Sequence, residues 1–252
     1  MPDPRFSALL LILIAPFMGS FLALLADRLP RGEDVIVKPS HCRRCDARLR
    51  LRDLVPVLSF VSTRGRCRHC GAAIPPVTLY SEIAATGAAV LAVLAGGGPA
   101  DIWLSAVFLW LLLALTLCDL QWYRLPDLLT GTLFLTALGI AARGGGLDQA
   151  LIGAGLGAGA FLALRLGYYA IRGREGLGLG DVKLMAGLGA FSGPLDLPLL
   201  VLIAALGALA GAGLDHMVDR RRRGTSLATR KLPFGAALCS AAAILWVLRA
   251  AI

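Results

Sequence analysis

Residues 6–26 read FSALLLILIAPFMGSFLALLA, 21 consecutive positions without a charged side chain. A helix needs about 20 mainly apolar residues to cross the hydrocarbon core of a bilayer, so this stretch is long enough to span. Arg5 is the one basic residue before it, and its basic flank, Arg28 and Arg31, comes after it. A cleaved signal peptide has the opposite arrangement and a shorter apolar core, so the segment is read as a retained first helix with its N-terminus outside. The rest of the chain agrees. Of 252 residues 57% are hydrophobic and 16% charged, against roughly 45–50% and about 25% in soluble domains, and the mean hydropathy is +0.74. A disordered chain is excluded, a water-soluble globule is disfavoured, and the 30 glycines follow no collagen period.

Seven more windows carry apolar runs: 77–97, 102–118, 127–142, 149–171, 182–193, 197–217 and 232–250. The expected fold is therefore all-α, a polytopic membrane bundle of about eight transmembrane helices. With the N-terminus outside, segments 27–76, 119–126, 172–181 and 218–231 face the cytoplasm. Segment 27–76 holds eleven Lys and Arg, and 218–231 holds six, including Arg220-Arg221-Arg222-Arg223. Arg124 adds one, and Arg172, Arg174 and Lys183 add three at the third inside loop, whereas Arg5, Arg143 and Arg249 fall outside. This is the positive-inside pattern. The net charge of +9 is accordingly read as topology and attraction to anionic membrane lipid, not as a nucleic-acid surface.

Segment 27–76 is the one polar stretch long enough for a small domain, between a first helix (1–26) and a seven-helix membrane core (77–252). It contains two CxxC pairs, Cys42/Cys45 and Cys67/Cys70. Each CxxC turn points both sulfurs at one centre, so two of them can surround a zinc ion tetrahedrally. A fragment of this size buries little apolar surface, and the metal would supply its folding free energy. A redox dithiol or a pair of disulfides is the competing reading, with Arg43, Arg44, Arg66 and Arg68 favouring thiolate in either case. A reducing compartment disfavours the disulfides. Cys118 and Cys239 lie in or near apolar windows and are expected to be buried and inert.

Ionisable groups at the edge of a span are costly and suggest function. Asp119 closes the third window, Asp127 opens the fourth behind Pro126, and Asp181 opens the sixth in GREGLGLGD (173–181). A helix cap accounts for Asp127 and is a second reading for Asp181. The glycines at 176, 178 and 180 follow no strand, so they do not make a nucleotide loop. Gly178 and Gly180 would instead let an extended substrate lie against Asp181. If Asp119 and Asp181 meet, the two carboxylates cannot both ionise; one keeps a proton and the other serves as base. Two further readings stay open: a membrane thiol oxidoreductase using the CxxC pairs, and an ion-coupled transporter using Asp119 and Asp181. In the transporter reading, Gly153, Gly155, Gly157 and Gly159 line a moving interface; the alternative is close helix packing.

Five stretches, in order, resemble the type IV prepilin peptidases, bacterial membrane aspartyl proteases of the GxGD type. They are GSFLALLADRLP (19–30), the loop with PSHCRRC, VPVLSF and RGRCRHC (39–70), CDLQWYRLPDLLT (118–130), GLGDVKLMAGLGAF (178–191) and KLPFGAAL (231–238). The resemblance implies that Asp119 and Asp181 are the catalytic pair. It implies a prepilin or pseudopilin substrate, cut after the glycine that ends its basic leader. It further implies the bacterial inner membrane, with zinc loop and active site facing the cytoplasm. Many members also N-methylate the new N-terminus with S-adenosylmethionine. This chain departs from the family pattern at Ala23, where Asn is usual, at Leu54-Val55, where Asn-Ile is usual, and at IPPVTLYSE (74–82), which keeps Glu82.

Overall fold

The structure is a computed structural model that describes residues 4–174, 176–220 and 232–251. The run Arg221–Arg223 and the remainder of that basic loop lie outside the described residues, so the topological role assigned to them is not addressed by the fold. Helices dominate: α1 (Pro4–Arg28), α2 (Leu58–Ser62), α3 (Val77–Leu94), α4 (Pro99–Trp122), α5 (Asp127–Arg143), α6 (Leu147–Arg172), α7 (Leu179–Arg220) and α8 (Phe234–Ala250). Among the described residues there is no strand, only two isolated β-bridges. Five helices among the described residues, α1, α3, α4, α6 and α7, are long and apolar enough to cross a membrane. Each of the eight predicted windows falls on a helix, and the chain is a multi-pass membrane protein.

The sixth and seventh windows are two halves of α7, broken at Gly193 (φ 70°, ψ 175°). Glycine adopts that backbone without a Cβ penalty. Pro194 follows, and a residue before proline is pushed out of the α region. The break frees carbonyls at the end of the first half. Arg249, near the end of α8, takes them: it donates to Phe191 O at 2.8 Å and Ser192 O at 2.5 Å, pairs with Asp196 at 2.5 Å, and lies over the Phe191 ring. An arginine counted in sequence only as an outside charge is thus the cap of a broken helix.

The chain forms two compact units, one ending at Ala114 and the other beginning at Leu115. In the first, α1 and α3 pack so closely at Gly19 that a Cβ there would collide with Glu82 Cα. In the second, α6 and α7 touch through glycine: a Cβ on Gly153 would collide with Gly189 O, and one on Gly157 would meet Met185 O at 2.8 Å. Gly155 and Gly159 have open space on that measure. So of the alternating glycines 153–159, Gly153 and Gly157 serve close packing, and Gly155 and Gly159 do not.

Candidate active site and metal centre

Asp119 lies one turn from the end of α4 and is 6% exposed. A carboxylate this deep requires hydrogen-bond donors, and the first turn of α8 supplies them. Ala236 N–H donates to Asp119 Oδ2 at 2.8 Å, and Gly235 N–H donates to the same carboxylate. The exposed donors of a helix N-terminus suit an anion. Each residue of Pro233-Phe234-Gly235 has a place in this. Pro233 is the N-cap residue, the Phe234 ring stacks on Phe161 of α6 with centroids 6.2 Å apart, and Gly235 leaves room for the acid, since a Cβ there would meet Asp119 Oδ2 at 3.1 Å. Sequence reading singled out this stretch without a reason for its glycine; the available signal was a Gly in the first turn of an apolar helix.

Asp181 reaches the same place from α7. The half-buried carboxylate accepts the backbone N–H of Gly178 and senses the charge of Asp119. Gly178 precedes the helix and Asp181 is its third residue, so the acid folds back on its own helix start as the acidic member of a capping box does. Asp181 thus stands in the first turn of α7, within range of the charge of Asp119. Leu125 is wedged between the two motifs: a Cβ on Gly180 would meet Leu125 Cβ at 3.1 Å, and one on Gly235 would meet Leu125 Cδ1 at 3.0 Å. Gly178 is exposed, which leaves an open edge of backbone beside Asp181. Two residues of α6 not singled out in sequence shape this loop: Arg165 donates to Leu177 O, and the Tyr168 ring lies against Gly176. Cys118 and Cys239 are buried as expected, and Cys239 senses both Asp119 and Asp181.

Asp127 departs from its expected role. Pro126 holds the N-cap position of α5, and Asp127 is the first residue of the helix itself. Both of its oxygens accept from Lys183 Nζ at 2.7 Å, tying the start of α5 to the start of α7.

In the first unit the two CxxC segments fold as copies 25 positions apart. In one, Cys42 N–H donates to Ala47 O, Asp46 N–H to Cys42 O, and Leu49 N–H to Ser40 O; in the other, Cys67 N–H donates to Ala72 O, Gly71 N–H to Cys67 O, and Ile74 N–H to Gly65 O. Asp46 and Gly71 hold the corresponding left-handed position. The four sulfurs lie within 4.8 Å of one another, and Cys42 and Cys70 are 3.8 Å apart. A tetrahedron with metal–sulfur bonds near 2.3 Å has edges of about 3.8 Å, so the donor set fits one metal ion. The N–H groups of Arg44 and Cys45 pull the Cys42 thiol down to about 6. Backbone, not arginine, is therefore the principal stabiliser of that thiolate. Arg43 and Arg68 turn to Asp27 and Asp53 instead.

This loop is fastened to the helices by a buried acid, Glu82 of α3, which is 4% exposed. Ser20 Oγ of α1 donates to its Oε1, and Val57 N–H of the loop donates to Oε2 at 2.7 Å. Val57 (φ 60°) centres a tight turn closed by Leu58 N–H to Pro56 O at 2.6 Å. Such a conformation costs a β-branched residue about 1–3 kcal/mol, and the carboxylate helps hold it.

The sequence matches two family descriptions in tandem: Bacterial Peptidase A24 N-terminal domain over residues 13–95 and Type IV leader peptidase family over residues 106–213. Curated relatives include the prepilin leader peptidase/N-methyltransferase of Burkholderia pseudomallei, 38% identical over 86% of this chain and 69% of that protein. That of Dickeya chrysanthemi is 35% identical over 86% of each chain. That of Aeromonas salmonicida is 32% identical over 94% of this chain and 90% of its own. No solved structure matches the chain.

Proposed function

The chain belongs to the type IV leader peptidase family, and on that premise we propose that it is a membrane aspartyl endopeptidase in which Asp119 and Asp181 form the catalytic pair. The substrate is a prepilin or pseudopilin, cut after the glycine that ends its basic leader. The observation that carries this reading is the convergence of the two acids. They come from different helices: Asp119 is held by backbone N–H groups at the start of α8, Asp181 by that of Gly178 at the start of α7, and Leu125 lies against the glycine beside each acid. In the reaction the ionised acid takes a proton from water as its oxygen bonds to the scissile carbonyl carbon. The protonated acid polarises the carbonyl oxygen. Collapse breaks the C–N bond, and the proton passes to the leaving amine, as the coupled pair allows. The exposed edge at Gly178 gives an extended leader a place to lie beside Asp181.

The Cys42, Cys45, Cys67 and Cys70 set would hold a structural zinc ion. One cluster of four thiols fits that ion better than two separate redox pairs. The second activity is N-methylation of the new N-terminus; S-adenosylmethionine supplies the electrophilic methyl group. The positive-inside charge distribution supports a bacterial inner-membrane location with both the loop and the acids on the cytoplasmic side. One assay tests the reading. Purified protein in detergent is mixed with a leader-bearing pilin, with and without the methyl donor, and the products are weighed by mass spectrometry. Cleavage is expected in both samples and an added methyl group only with the donor. An intact pilin in both samples would reject the peptidase reading; a cleaved but unmethylated product with the donor present would reject the transferase alone.

A further inference from the structure

The first turn of α8 does more than close the bundle. Gly235 and Ala236 are both buried. Their N–H groups converge on Asp119 across 117 positions of sequence. Phe234, stacked on Phe161, fixes how far this turn reaches into the site. A Cβ at position 235 would meet two things, Asp119 Oδ2 at 3.1 Å and Leu125 Cδ1 at 3.0 Å. Contacts that short are tighter than a side chain normally makes, and the carboxylate held by two N–H groups has little freedom to give way.

We propose that Gly235 and Ala236 are positioning residues of the cleavage reaction: their backbone N–H groups set the orientation of the Asp119 carboxylate, and position 235 is glycine because a side chain there would displace that acid. The inference rests on the peptidase reading above and deepens it. It assigns to α8, which contributes no acid of its own, the alignment of one member of the pair. A displacement of a fraction of an ångström at a reacting carboxylate is felt in the chemical step more than in substrate binding.

Three variants and one reference test it, all with the leader-bearing pilin in detergent. Gly235→Ala crowds the acid. Ala236→Pro removes one N–H and puts a ring carbon in place of its hydrogen beside Asp119 Oδ2. Each is expected to lower kcat about 10- to 100-fold, the loss for a hydrogen bond to a charged group, with KM little changed and the melting temperature near wild type. The double variant Gly235→Ala/Leu125→Ala relieves the Leu125 contact and leaves the carboxylate crowded, so kcat should stay low. Asp119→Asn is the reference. If Asp119→Asn is inactive while Gly235→Ala and Ala236→Pro cleave at the wild-type kcat, the positioning role is wrong and the peptidase reading stands. Recovery of kcat in the double variant, or a loss confined to KM, also overturns it, because crowding or docking would then be the cause. If Asp119→Asn cleaves normally, the peptidase reading and this inference fall together. Ala236→Pro keeps the test decisive should Gly235→Ala fail to fold.

Discussion

Glu82 of α3 and Asp119 of α4 belong to different units of the chain, yet they are alike by every local measure. Both sit in apolar helices, both are less than one-tenth exposed, and both accept a backbone N–H from a distant segment, at 2.7 Å from Val57 and 2.8 Å from Ala236. Their company differs. The other partner of Glu82 is a hydroxyl on a neighbouring helix, so one oxygen is committed to α1 and the other to the loop. Asp119 has another carboxylate within range of its charge. A buried acid in a membrane helix is costly wherever it occurs. The comparison teaches that hydrogen-bonded burial marks a structural tie equally well, and that a second acid arriving from another helix is what distinguishes a reaction centre.

Substitution by the amide separates the two cases most sharply. Asn in place of Asp119 or Asp181 keeps size and hydrogen bonding but cannot exchange a proton with water, so each change should lower cleavage by about 10³-fold or more. The double variant should be no worse than either single, because the pair acts as a unit. Expression and melting temperature should hold, since Asn relieves repulsion between close carboxylates. Cleavage at the wild-type rate by either single variant would place Asp119 in the same class as Glu82.

The next effect down concerns the loop that Glu82 fastens. Purified protein should carry about one zinc ion per chain, and Cys67→Ser should lower metal content and unfold the loop, because ligation and folding are one free energy in so small a fragment. Peptidase activity should survive in part, since both acids belong to the other unit. A metal-free protein that kept a protected loop and full activity, with the cysteines joined as disulfides, would return the CxxC pairs to redox chemistry. Glu82→Gln should be milder still. It keeps the shape but turns one of two accepting oxygens into a donor, so one hydrogen bond is lost, for about 1–3 kcal/mol read as a lower melting temperature. The folded fraction should cleave normally, and an inactive but fully stable Glu82→Gln would break the comparison.

What could be read in advance follows the range of the interactions. Apolar windows report the spans because hydropathy is local, and the CxxC spacing reports the four-cysteine cluster because each knuckle closes within a few residues. Motif resemblance points to Asp119 and Asp181 because each lies inside a short run that can be recognised by itself. The windows 182–193 and 197–217 read as two spans, whereas the chain continues directly from the first half of α7 into the second through the break at Gly193. Hidden in sequence were the facts that depend on how one helix is rotated against another. These are the meeting of Ser20 and Val57 at Glu82, the α8 turn on Asp119, and the capping of Phe191 and Ser192 by Arg249. No spacing rule brings together residues 117 apart.

Asp127 gives the smallest expected effect and a correction to the reasoning behind it. As a cap it would tolerate Asn because Asn caps nearly as well. It does not cap; it pairs with Lys183 through both oxygens at 2.7 Å. The predicted tolerance survives for another reason. The pair is exposed, at 74% for the Asp127 side chain and 50% for Lys183, and exposed ion pairs contribute about 0–1 kcal/mol. Asp127→Asn and Lys183→Gln should therefore each shift stability by less than about 1 kcal/mol, with little change in kcat, and the effect should shrink as salt screens the pair. The salt series tells the two accounts apart: a cap bond to backbone would be insensitive to ionic strength, and Lys183→Gln would then be silent. A larger loss in kcat for both variants, matching that of Gly235→Ala, would instead make this pair part of the alignment of Asp181, two residues away on the same turn of α7.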